Sequence, residues 1–114
     1  VDADEAIEKA LEPGERVVWA DRPHGFAAAL TRPHERYAAT DRGRLVVVSA
    51  AGTRVISLAA VSLSTDARAD SEKGSITIRD AGADGEERIV LDDVSYPLIA
   101  LETLRQVAQG NRLC

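Results

Sequence analysis

The sequence is poor in the residues that do chemistry. Its 114 residues include one cysteine, Cys114 at the last position, so an internal disulfide or a cysteine metal cluster has nothing to form from. The two histidines, His24 and His34, each sit beside a proline, and no His-x-x-x-His or Cys-x-x-Cys spacing accompanies them. A zinc site is therefore not expected. Gly-x-Ser-x-Gly is absent too, which leaves a nucleophile elbow without support. The adjacent acids Glu86-Glu87 and Asp92-Asp93 diverge if extended, a poor basis for a carboxylate dyad. The stretch Gly82-Ala83-Asp84-Gly85 lacks the Lys-Ser or Lys-Thr of a phosphate loop and reads as a hairpin. Catalytic, cofactor-binding and metal-ligating residues are thus all expected to be none.

Aromatic residues make up only 4%, which offers few platforms for stacking bases, and the net charge of −5 disfavours non-specific nucleic-acid binding. No nucleic-acid partner is expected. Apolar runs such as residues 25–30 and 45–52 fall far short of the ~20 residues a membrane helix needs. The acidic start, Val1-Asp2-Ala3-Asp4-Glu5, lacks the basic-then-apolar pattern of a secretory signal. Methionine is absent even from position 1, as expected of a trimmed chain or a piece of a longer one.

What remains is an ordinary globular balance, 45% hydrophobic and 29% charged, of a size for one domain over residues 1–114. The charge is segregated. Residues 1–15 carry −5, residues 16–54 carry +4 through seven arginines, and residues 55–114 carry −4. The arginines have two readings: they pair with the acidic flanks, or they form a patch that grips an anion such as a phosphate or lipid head group. The candidates for such a patch are Arg22, Arg32, Arg36, Arg42 and Arg44.

Periodicity predicts a short N-terminal helix within residues 1–12, where Ala3, Ala6, Ile7, Ala10 and Leu11 make one stripe before Pro13-Gly14 stops it. From 15 to 92 the texture is that of strands. Seven short segments are expected, near residues 16–20, 34–40, 45–50, 54–58, 59–67, 75–79 and 88–91. The valine-rich run at residues 45–50 suits a strand buried on both sides. Residues 21–33, with two Arg-Pro pairs around an apolar patch that begins at Phe26, suit a loop or short helix. Regularly spaced strands with no helices between them point to a small antiparallel barrel or sandwich. A helix over 97–109 follows, with Pro97 in its first turn and Ala100, Leu101, Leu104, Val107 and Ala108 on one face. Ile99 lies off that face and is a candidate partner contact.

Two strings add a family likeness. Leu11-Glu12-Pro13-Gly14-Glu15-Arg16-Val17-Val18-Trp19 resembles the opening of bacterial pleckstrin-homology-like (PH-like) domains. Tyr37-Ala38-Ala39-Thr40-Asp41-Arg42-Gly43-Arg44-Leu45-Val46-Val47 resembles their Tyr-x-x-Thr-x-Arg-Arg hairpin, with Gly43 standing as an inserted residue. Arg54-Val55-Ile56-Ser57-Leu58 and the helix after Pro97 fit the same order. Many members carry a transmembrane hairpin where this chain has only residues 21–33. The resemblance implies a mainly β fold: a partly open barrel of two near-orthogonal antiparallel sheets, about seven strands, capped by the C-terminal helix. It implies a non-enzymatic scaffold that binds itself or protein partners, in the cytoplasm and at the inner face of the membrane. Exposed strand edges, Phe26 and Ile99 are the expected contacts. The alternative is an anion or lipid head-group domain built on the arginines.

Overall fold

The computed structural model describes residues 3–22, 35–50, 52–68, 72–82 and 85–109. The β segment forms two antiparallel sheets. Strands β1 (Val17–Asp21), β2 (Arg36–Thr40), β3 (Arg44–Ser49) and β4 (Gly52–Ser57) make the first, in the order β1-β2-β3-β4. A single turn of 3-10 helix, Leu58–Ala60, leads to β5 (Val61–Thr65), β6 (Lys73–Gly82) and β7 (Gly85–Ser95), which make the second in the order β5-β6-β7. A short helix, α1 (Ala3–Ala10), precedes them and α2 (Pro97–Ala108) follows. Among the described residues no strand of one sheet pairs with a strand of the other. The two antiparallel sheets and C-terminal helix expected from the sequence are present, and the sheets face a shared interior without a closed barrel among the described residues.

That interior takes one face of each sheet and the apolar stripe of α2. Tyr37, Ala39 and Leu45 come from the first sheet, Ile76, Ile78, Leu91 and Val94 from the second, and Leu58 from the turn between them. Ala100, Leu101, Leu104 and Val107 of α2 complete it. Trp19 and Ile56 pack at its margin. Side chains along β5 alternate because one face of its sheet meets the core and the other meets solvent: Val61, Leu63 and Thr65 point in, Ser62 and Ser64 out.

The reverse face of the first sheet is also covered. Ala38, Val46 and Val48 point away from the main core and are buried beneath Ala3 and Ile7 of α1, with Ala6 and Ala10 alongside. This explains the unbroken valine run of β3: Leu45 is buried on one side, Val46 and Val48 on the other. A strand covered on both faces loses polar alternation. Some boundaries differ: the stretch read as one strand over 59–67 begins in the 3-10 turn, and β6 and β7 run past the expected 75–79 and 88–91, carrying the β segment to Ser95 rather than 92.

Candidate interaction surface

The two strings that carry the family likeness meet in space. Glu12, Pro13, Gly14 and Glu15 form a tight turn closed by the Glu15 N–H donating to the Glu12 carbonyl at 3.0 Å. Pro13 fits the first corner, and Gly14 takes φ +82, the left-handed conformation the second corner requires. The turn brings Glu15 under the β2–β3 hairpin, where its side chain is wholly buried. One carboxylate oxygen accepts the Thr40 hydroxyl at 2.5 Å and the Arg44 Nε–H at 2.8 Å. The other accepts the Glu12 N–H at 2.8 Å and a second bond from the Arg44 guanidinium. Arg44 thus grips Glu15 with a fork of two parallel donors, the strongest geometry available to an ion pair. These bonds, Arg44 foremost, outweigh burial and hold the Glu15 pKa down at about 2. The Arg44 pKa is raised in turn by Glu15.

The hairpin itself supplies the donors. Ala39 pairs with Leu45, and the Gly43 N–H donates to the Thr40 carbonyl at 3.1 Å. Gly43 sits at φ +74, so the residue that looked inserted is the left-handed position of a bulged hairpin loop. Arg42 reaches back to the turn on the exposed side, to Glu12 Oε2 at 3.1 Å and the Pro13 carbonyl at 2.8 Å. Arg44 also donates to the Ala10 carbonyl at 2.9 Å, capping the last turn of α1.

The other candidate residues lie elsewhere. Arg36 opens β2 and donates to the Glu35 carbonyl at 2.7 Å. Arg22 is exposed, just past the end of β1 that pairs with Tyr37. Arg22 and Arg36 therefore stand at one end of β2, and Arg42 and Arg44 at its other end. The length of the strand, about 17 Å, divides the four. Arg32 and Phe26 lie outside the described residues, as does most of the apolar stretch 25–30. Ile99 is 68% exposed, the most open of the large apolar side chains described.

Sequence reasoning passed over the neighbours of Ile99. Tyr96 is 54% exposed and Leu98 38%, so three apolar side chains gather around the first turn of α2. Tyr96 is also the sole described non-glycine residue at positive φ, +45. Such a conformation costs about 1–2 kcal/mol in a residue with a side chain. It is imposed from both sides: the Tyr96 N–H donates to the Glu72 carbonyl at 2.8 Å, and its carbonyl accepts the Ala100 N–H at 3.0 Å. One residue earlier, the Ser95 N–H donates to Asp21 Oδ2 at 2.9 Å, tying the end of the second sheet to the end of the first. No signal in the sequence marks Tyr96, because tyrosine is a poor candidate for a left-handed position.

Trp19 and Tyr37 belong to the interior and its margin; Tyr37 is 2% exposed. Among the described residues no group of three or more His, Cys, Asp or Glu side chains is placed to hold a metal ion, and no helix is long and apolar enough to cross a membrane. No family model, curated protein or solved structure matches the chain.

Proposed function

We propose that the chain is a PH-like interaction module that associates with a second copy of itself through the first turn of α2. The observation that carries this reading is the exposed group Tyr96, Leu98 and Ile99 on a helix whose opposite face fills the core. An exposed isoleucine in isolation is ordinary. Three neighbouring apolar residues, one of them held at a costly backbone angle, form a preorganised patch. None of the three carries charge. Two copies meeting there pair about a two-fold axis, the commonest symmetry of oligomers. The PH-like assignment is supported by the order of parts and by the meeting of the two strings at Glu15, Thr40 and Arg44. Assembly at the cytoplasmic face of a membrane is part of the same reading and rests on the resemblance. The head-group alternative is disfavoured because Arg42 and Arg44 already serve Glu12 and Glu15.

Sedimentation and light scattering across a concentration series test the proposal. Association below about 0.1 mM, a contact worth about −5.5 kcal/mol, is expected, with Ile99→Asp returning the chain to monomer. A wild-type chain that stays monomeric throughout that range refutes it.

A further inference from the structure

The two helices are attached in different ways. The apolar side chains of α2 are continuous with the main core. Those of α1 form a separate cluster with Ala38, Val46 and Val48 on the far side of the first sheet. The helix is eight residues long, shorter than the length at which isolated helices hold in water. Its contact face is alanine except for Ile7. The sheet beneath needs no part of α1 for its hydrogen bonds, since β2 is paired on both sides by β1 and β3, and β3 by β2 and β4.

Polar bonds anchor the C-terminal end of α1. Arg44 reaches the Ala10 carbonyl, Glu12 and Glu15, all at the C-terminal end of α1 or just beyond it. Nearer its N-terminus, Ala3 and Ile7 of α1 are buried against the sheet. The apolar row it covers runs further than the helix does. Val46 pairs with Ala38 on one side and Val55 on the other, which places all three on one face, and Val55 remains 43% exposed.

We infer that α1 is a detachable strap: it swings off the outer face of the first sheet while the two-sheet core stays folded, with the Arg44-clasped turn at residues 12–15 as its hinge. Opening uncovers Ala38, Val46 and Val48 beside Val55, an apolar row across three strands that the closed state hides. This packing is independent of whether the chain self-associates through α2.

Hydrogen exchange on the full chain tests it. In the wild type, the amides of residues 7–10 should exchange at least about tenfold faster than those at the centre of β3, because they open without global unfolding. Equal protection in α1 and β3 overturns the inference. Ile7→Asp then populates the open state. It should strip protection from α1 while β2, β3 and α2 keep theirs and thermal unfolding stays cooperative. A chain that loses protection everywhere on Ile7→Asp shows that α1 is integral to the core, and that result also overturns the inference.

Discussion

The first sheet has two faces, and they are made differently. The inner face meets another sheet and a twelve-residue helix, through leucine, isoleucine and tyrosine drawn from six separate elements. The outer face meets an eight-residue helix through small side chains, with Ile7 the largest contribution from that helix. Apolar area buried scales with stabilisation at about 25 cal/mol per Å², so the inner face carries the fold. The outer face compensates with polar bonds: a forked ion pair, a buried hydroxyl and a capped carbonyl gathered at the end of α1. The contrast teaches that a weak apolar cover is made specific by a strong polar clasp.

The largest effect should come from the inner face. Leu104 is fully buried at the centre of the α2 stripe, and Leu104→Ala should cost about 4 kcal/mol, read as a lowered denaturation midpoint with unchanged slope. On the outer face the clasp matters more than the packing. Glu15→Ala removes the buried partner of the Arg44 guanidinium and should cost about 3 kcal/mol. If Glu15→Ala proves milder than a truncation of Val46 to alanine, the view of the clasp as the outer face's main support fails.

The clasp also gives the outer face a pH dependence that the inner face lacks. The Glu15 carboxyl titrates at about 2 when folded against an ordinary value of 4.5. Between those values the unfolded chain binds the proton and the folded chain does not, so stability rises with pH. The contribution is complete above about pH 4.5 and is lost as pH falls through about 2. It amounts to about 3 kcal/mol at most. Denaturation midpoints measured from pH 6 down to pH 2 should fall for the wild type, and the Glu15→Gln chain should lose that part of the slope. A wild-type and variant pair with parallel profiles would show that Glu15 is not the titrating group.

The hairpin loop offers a smaller test of the same clasp. Gly43→Ala places a side chain at φ +74 and should cost about 1 kcal/mol, while Gly43→Asn, which tolerates the left-handed region better, should cost less. A flat response across glycine, asparagine and alanine would mean that the bulge is not what aims Arg42 and Arg44 at the turn.

Much of the inner face is readable from period alone. Ile76 and Ile78, Val61 and Leu63, and the stripe of α2 declare themselves by spacing, and each points where its spacing predicts. The clasp is not readable in that way. Glu15 lies 25 residues from Thr40 and 29 from Arg44, and nothing in a single chain says that these three share hydrogen bonds. The charge segregation of the first 54 residues gives the only hint, that an acidic start and an arginine-rich middle have reason to pair. The patch at α2 is half legible. Ile99 falls off the stripe and announces exposure, whereas Tyr96 owes its position to the Glu72 and Ala100 backbone, a constraint no pattern of residue types records.

Two isoleucines on two amphipathic helices make the finest comparison. Ile7 is 8% exposed and Ile99 is 68% exposed. Replacing each with serine removes similar apolar bulk from a helix surface, so the difference in outcome isolates what each surface touches. Ile99→Ser leaves its own fold intact and should shift stability by no more than about 0.5 kcal/mol at concentrations where the chain is a monomer. Ile7→Ser should cost several times as much. The ordering reverses in an association assay, because Ile99 lies in the patch assigned to a second copy and Ile7 lies under a strap. A chain in which Ile99→Ser lowers the monomer's denaturation midpoint as far as Ile7→Ser does would place Ile99 in the core's service and remove the reason for its exposure.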